Sequence, residues 1–273
     1  LSWKSTANYI NNIEPDLVIF QYWMPFFAPA FSSIAKKIKN KNDTKIIVNC
    51  NNIIPHESGI FDKYLSLKFF KHCDYFIVMS NSVKNDLLSM IPSANYIESK
   101  HPLYDTFGNS IDKEEARKSL SLKNEKVILN FGLIRDYKGL DLLIESTDNL
   151  KNKLDDFKIV VAGECYNGEQ QYYELARKLE VEDCFDFKFK FVENSDIPKY
   201  FCAADVVVIP YKSATQSGII PIAYHYNKPV ITTNVGGLAE CVLHGKTGFI
   251  CDTNPQSISN GILEFFNSNE NFI

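Results

Sequence analysis

The chain has 273 residues, 45% apolar and 23% charged, the balance of a globular protein long enough for two domains of about 150 residues each. Its 29 Lys and Arg against 33 Asp and Glu leave a formal charge of −4. That excludes a histone-like protein, a basic arm or an acidic tail, and gives no electrostatic case for a nucleic-acid partner. Residues 1–105 hold 11 Lys and 9 acids, so the negative excess lies in the remainder; the asymmetry is too small to name a partner.

Seven cysteines, at 50, 73, 165, 184, 202, 241 and 251, show no C-x-x-C spacing and sit mostly in apolar runs such as Tyr200-Phe201-Cys202-Ala203-Ala204. They suit small buried hydrophobes in a reducing compartment, neither a disulfide framework nor a zinc site. The apolar stretch Ile19 to Phe31 is broken by Gln21, Pro25 and Pro29 and falls short of the roughly 20 residues a spanning helix needs. Leu1-Ser2-Trp3-Lys4-Ser5 contains neither an initiator Met nor a signal-peptide core. The chain is therefore expected to be cytoplasmic and to begin inside a longer protein.

After an entering helix, apolar runs predict strands at Leu17–Tyr22, Lys45–Cys50, Tyr75–Ser80 and Asn95–Glu98. Further strands are predicted at Lys126–Phe131, Lys158–Ala162, Phe185–Phe191, Asp205–Tyr211, Val230–Thr233 and Gly248–Cys251, with helical patterns between nearly all of them. Val127-Ile128-Leu129, Ile159-Val160-Val161 and Val206-Val207-Val208-Ile209 are continuously aliphatic, as strands buried on both faces of a parallel sheet must be. The fold class is α/β, doubly wound. A Pro, the loop Phe107-Gly108-Asn109-Ser110 and the charged helix Asp112–Arg117 interrupt this alternation. They place a first domain at 1–105, a linker and helix at 106–123 and a second domain at 124–273. With four strands only, the first domain is expected to lack its opening strand-helix units.

Ligands of open α/β sheets bind at the carboxyl ends of strands, where helix starts present free N–H groups. The loop after Val127–Phe131 is Gly132-Leu133-Ile134-Arg135-Asp136-Tyr137-Lys138-Gly139, leading into a helix at Leu140–Leu150. Arg135 and Lys138 there repel the helix dipole unless an anion binds; the alternative is a solvated loop with a Lys-Gly turn. After Val206–Tyr211 comes Lys212-Ser213-Ala214-Thr215-Gln216-Ser217-Gly218, before a helix at Ile219–Tyr226. Its small residues suit close backbone approach to a phosphate, or simply a helix start capped by Ser217. Taken together, the two loops describe a diphosphate cradle that needs no metal.

Other motifs fall away. Gly245-Lys246-Thr247 ends like a phosphate-binding loop, but Glu240 stands where that motif needs Gly and a strand follows, so a hairpin turn is expected. No G-x-G-x-x-G, G-x-S-x-G, H-E-x-x-H or D-x-D occurs, against a nicotinamide fingerprint, a serine hydrolase, a zinc protease or a metal-dependent transferase. His56, His72, His101, His225 and His244 show no ligand spacing.

Four stretches in order carry a resemblance: Phe131 to Ile144, Val160-Val161-Ala162-Gly163-Glu164, Ala203 to Tyr211, and Asn227-Lys228-Pro229-Val230-Ile231 through Val235-Gly236-Gly237-Leu238-Ala239-Glu240. They resemble the nucleotide-sugar domain of GT-B-fold glycosyltransferases of the retaining family 4 group. Cys50-Asn51-Asn52-Ile53-Ile54-Pro55-His56-Glu57 is similar to the acceptor-side H-N-x-x-P-H-E stretch of the same family, and Met79-Ser80-Asn81-Ser82 with His101-Pro102 fits its later strands. The resemblance implies two Rossmann-like domains, the first incomplete, and a sugar moved from a nucleotide diphosphate donor to a glycan, lipid-linked or small-molecule acceptor. It implies no cofactor beyond that donor, no metal and no nucleic acid, with peripheral contact at the inner face of a membrane through the acceptor half.

By matched position, Arg135 and Lys138 bind the donor diphosphate and stabilise the leaving group's charge, assisted by amides of Ser217, Gly218 and Ile219. Gly132 allows close approach, Gly163 and Glu164 border the nucleotide, Val192 lies against the base or merely ends a strand, and Asn51, His56 and Glu57 stand on the acceptor side. Three departures stand out. The family's E-x7-E pair is replaced by Ala214 and Ile222, with Gln216 the nearest substitute; its acceptor histidine is Asn51; and its glycine-rich first loop and C-terminal crossing helix fall outside the sequence. A catalytically silent nucleotide-sugar binding module and a nucleotide-sugar epimerase of the same fold are the alternatives.

Overall fold

All ten expected strands form in the computed structural model, which describes residues 2–41, 43–54, 61–166 and 168–268. Chain contacts divide it into two units, Leu1–His101 and Pro102–Ile273.

The first unit runs α1 (Ser2–Ile13), β1 (Leu17–Tyr22), α2 (Ala28–Lys39), β2 (Lys45–Cys50), α3 (Asp62–Phe70), β3 (Tyr75–Val78), α4 (Asn81–Met90) and β4 (Tyr96–Glu98). Its strands pair in parallel in the order β1-β2-β3-β4. A sheet that advances in one direction, with the right-handed crossovers parallel strands almost always use, collects its connecting helices on one face. That face holds Phe20, Tyr22, Ile46, Val48, Cys50, Phe76 and Val78, packed against Ile34 and Ile38 of α2, Phe69 and Phe70 of α3, and Val83 and Leu87 of α4. The alternate residues point away, leaving Ile19 54% and Ile97 63% exposed. β3 stops at Val78 because Ser80 turns out of the strand to cap α4, its Oγ accepting from the Val83 amide at 3.3 Å.

The second unit runs α5 (Lys113–Ser119), β5 (Lys126–Phe131), α6 (Leu140–Leu150), β6 (Phe157–Ala162), α7 (Gln170–Lys178), β7 (Phe185–Lys188), α8 (Ile197–Ala203), β8 (Val206–Ile209), α9 (Ile219–His225), β9 (Val230–Thr233), β10 (Gly248–Cys251) and α10 (Pro255–Asn267). Its six strands are parallel in the order β10-β9-β8-β5-β6-β7. The chain builds from β5 to one edge, returns to β8 beside β5, then builds the other way, so both faces receive helices. Val127, Leu129, Val207 and Ile209 pack toward α8 and α9, while Ile128, Ile159, Val161, Val206 and Val208 pack toward α6, α7 and α10. This is the doubly wound arrangement, and it explains the continuous aliphatic runs.

The structure corrects several details. The segment expected as a linker packs into the second unit: Ala116 lies in its core, Tyr104, Phe107 and Ile111 pack against that core, and the Gly108 carbonyl accepts from Tyr226 Oη at 3.1 Å. Asp205 fastens α5, its carboxylate receiving Lys113, Arg117 at 2.8 Å and the Val127 amide at 2.7 Å. β7 ends at Lys188 rather than Phe191 because it is an edge strand whose only partner, β6, ends at Ala162 opposite Lys188. β8 ends at Ile209 because Pro210 has no amide to donate. The turn at Gly245-Lys246-Thr247 is not a hairpin, since β10 runs parallel to β9. Among the described residues no helix is long and apolar enough to cross a membrane.

The open face of the first sheet gives a stability contrast. Ile19→Lys is expected to change unfolding free energy by no more than about 0.5 kcal/mol and to lower binding of an apolar dye. Phe20→Ala, on the covered face, should cost about 3–5 kcal/mol. Denaturant melts of the two variants check this; an equally damaging Ile19→Lys would contradict one-sided packing.

Candidate functional site

Because β5 pairs with β8, Ile128 opposite Val206 and Leu129 opposite Val207, the loops that follow these strands emerge side by side where the strand order reverses. That crevice is where open parallel sheets place ligands. The first loop leaves β5 through Gly132 and turns through a short 3-10 segment, Asp136–Lys138, before Gly139 opens α6. Gly139 is at φ 70°, and a side chain there would lie 2.0 Å from the Pro210 carbonyl oxygen just past β8. Only glycine lets the two loops approach so closely. The Lys212 amide donates to the Tyr137 carbonyl at 2.7 Å, and the Lys212 ammonium pairs with Asp141 in the first turn of α6. Asp141 also supplies the acid that the start of α6 favours, which offsets the repulsion expected from the cations before it.

Several expected residues converge here. Gly132, at φ 106°, turns its bare Cα toward Ile219 and Lys138: a Cβ on it would stand 3.2 Å from Ile219 Cδ1 and 3.6 Å from Lys138 Nζ. Gly163 closes against Gly132, whose amide donates to the Ala162 carbonyl at 2.9 Å. The Ile134 amide donates to the Glu164 carbonyl at 2.8 Å, which carries Arg135 alongside the loop after β6. Lys138 Nζ lies 5.3 Å from the centre of the Tyr211 ring, and the Arg135 guanidinium 4.9 Å from that of Tyr166. Tyr166 donates its hydroxyl to Glu164 Oε2 at 2.8 Å, and that bond, with the Glu164 charge, raises the phenol's pKa. Neither Arg135 nor Lys138 belongs to an ion pair among the described residues.

Other expectations fare differently. Ser217 stands one residue before the N-cap, which is Gly218 and makes no side-chain bond, yet its Oγ still accepts from the first helical amide, that of Ile219, at 3.2 Å. Gly218 has an ordinary φ of −68° and its Cα faces Tyr104, 3.3 Å from where a Cβ would stand, so its smallness serves that ring contact. Gln216 sits in the same loop, which is braced by Gly237 donating to the Thr215 carbonyl at 3.0 Å and by Gly236 closing on the Ala214 carbonyl. Ala214 and Ile222 are core residues, 7% and 6% exposed. Val192 is half-buried against the core below. In the first unit Asn51 follows β2, its amide donating to the Tyr22 carbonyl at 2.8 Å; His56 and Glu57 lie outside the described residues. Among the described residues no three His, Cys, Asp or Glu side chains are grouped to hold a metal ion.

A cavity of 580 Å³ lies at the opposite, amino-terminal ends of the strands, lined by Lys113, Arg117, Asp205 and Lys228 among others. Its cations already have protein partners: Lys113 and Arg117 on Asp205, and Lys228 on the Cys202 carbonyl at 3.3 Å. The switch-point loops remain the better site. Tyr166 and Tyr211 escaped the sequence reading because a ring beneath a cation follows no fixed spacing.

The model of the family glycosyl transferases group 1 matches residues 112–271, more than half of the chain, and the chain belongs to that family. YtcC of Bacillus subtilis is 31% identical over 195 residues, covering 68% of this chain and 47% of its own length. The uncharacterized glycosyltransferase MJ1607 of Methanocaldococcus jannaschii is 27% identical over 264 residues, covering 90% of this chain and 65% of its own. The chain spans about half the length of the curated relatives it matches. Among solved structures, HepE of Anabaena in complex with UDP superposes with a TM-score of 0.79 at 18% identity, over 96% of this chain and 71% of that one. The two Rossmann-like parallel sheets are thus those of the GT-B glycosyltransferase fold.

Gly139→Ala should destabilise the second unit by at least about 1–3 kcal/mol, because the new methyl group needs both a left-handed backbone and space the Pro210 carbonyl occupies. Thermal melting followed by circular dichroism checks it; a wild-type melting curve would mean the two loops are not in contact.

Proposed function

We propose that this chain belongs to a retaining, metal-independent glycosyltransferase of family 4, and that its second unit binds the nucleotide diphosphate of the sugar donor. The observation that carries this reading is the placement of two cations, neither in an ion pair among the described residues, in the one loop at the switch point of a parallel sheet, with Lys138 Nζ beside Gly132 and Arg135 over the Tyr166 ring. In glycosyl transfer the bond from the sugar to the diphosphate breaks and negative charge grows on the departing phosphate. Arg135 and Lys138 stabilise that charge as it forms, which lowers the barrier without a metal. Family membership supports the reaction class, and the structural neighbour HepE, which has been solved with UDP and with UDP-glucose, supports a nucleotide-sugar donor.

In this reading Gly132 and Gly163 give the donor room, Glu164 and Val192 border the nucleotide, and the loop of Gln216, Ser217, Gly218 and Ile219 closes the phosphate side. The resemblance assigns Asn51, His56 and Glu57 of the first unit to the acceptor side, for a glycan, lipid-linked or small-molecule acceptor. The protein works in the cytoplasm, with peripheral membrane contact through that acceptor half. A second reading, a catalytically silent donor-binding module, is favoured by one observation: Ala214 and Ile222, in place of the family's glutamates, are buried in the core and offer no carboxylate. Transfer from a nucleotide-sugar by the full-length protein separates the two.

Lys138→Ala should weaken UDP binding roughly tenfold or more, the loss of a charge-assisted contact worth about 1.5–3 kcal/mol, and leave uridine binding unchanged. EDTA should not alter UDP affinity. Calorimetric titrations check both; equal losses for UDP and uridine would overturn the diphosphate assignment.

A further inference from the structure

We infer that the donor site seats its two cations on tyrosine rings in place of carboxylates, with Tyr211 the positioning residue of Lys138 and Tyr166 that of Arg135. The inference rests on the donor-binding reading above and adds how the cations are held.

A lysine or arginine beside a cavity must be held by something before its ligand arrives. A carboxylate would hold it firmly and cancel its charge, and an incoming diphosphate would then have to displace that partner. An aromatic face attracts a cation through its quadrupole and leaves the net charge intact. This chain contains 33 acidic residues, and the neighbouring Lys212 is neutralised by Asp141. Lys138 and Arg135 lie instead 5.3 Å and 4.9 Å from the centres of tyrosine rings. Tyr211 is itself fixed: it is 4% exposed, meets Tyr137 edge-on at 6.2 Å, and its carbonyl accepts from the Thr233 hydroxyl. A long flexible ammonium stem thus rests on a rigid surface, which reduces the rotamer entropy lost when phosphate binds.

Tyr166 has a second task. Glu164 is the carboxylate within hydrogen-bonding reach of that ring, and the phenol engages its Oε2 at 2.8 Å. The acid is thereby occupied by a neutral donor while the guanidinium lies over the same ring. Removing the hydroxyl alone leaves the ring in place and frees Glu164 to compete with phosphate for Arg135.

The test is calorimetric titration of the chain with UDP and with uridine, beside melting curves. Tyr211→Phe, which keeps the ring, should bind UDP within about twofold of wild type, whereas Tyr211→Leu should lose about fivefold or more for UDP and nothing for uridine. Tyr166 is 58% exposed, so Tyr166→Leu tests the same point without threatening the core and should show the same split. Tyr166→Phe should weaken UDP binding, and adding Glu164→Gln should restore it. If wild type binds UDP and the leucine variants match it, or if Tyr211→Phe loses as much as Tyr211→Leu, the rings do not seat the cations while the donor site stands. If wild type does not bind UDP, both the donor site and the seating fall together.

Discussion

The site depends on one pairing, that of β5 with β8. These strands are 75 or more residues apart in sequence, yet Ile128 lies opposite Val206 and Leu129 opposite Val207. The chain must therefore complete β6 and β7 on one side before returning to the centre, and the reversal leaves two loops at adjacent strand ends with no helix crossing between them. Gly139 against the Pro210 carbonyl, Lys212 on Tyr137 and the Lys212–Asp141 ion pair then fix those loops to each other. The cations inherit their positions from this backbone contact.

The two units show the same rule with different outcomes. Where the strand order advances one way, helices gather on one face and the other keeps exposed isoleucines; where it reverses, both faces are covered. The candidate site sits at the reversal, where two loops of different origin emerge at adjacent strand ends. Ala214 of the second loop and Ile222 of α9 are buried in the core, and the loop is braced by its backbone against Gly236 and Gly237.

Much of this was legible in the sequence. Unbroken aliphatic triplets marked the strands buried on both faces, and Arg135 and Lys138 drew attention because cations are misplaced at a helix start without an anion. The misjudged details share a cause. The ends of β7 and β8 depend on the length of a partner strand and on Pro210, which local composition does not register. Residues 106–123 looked like a linker because Ala116 and Arg117 are anchored by Asp205 and α8, far away in sequence. Gly218 looked like a phosphate-facing glycine because its contact with Tyr104 is tertiary. Tyr166 lies outside the matched stretches and Tyr211 ends one of them without a role of its own, since a ring beneath a cation has no preferred spacing.

The central claim is that Arg135 and Lys138 converge on one diphosphate at Gly132, and a crystal structure of the chain with UDP tests it most directly. The account predicts that the phosphates lie beside Gly132, within about 3.2 Å of Lys138 Nζ and of an Arg135 guanidinium nitrogen, with no metal ion bridging them. UDP bound elsewhere, or phosphates held by a metal with both cations turned away, would contradict it.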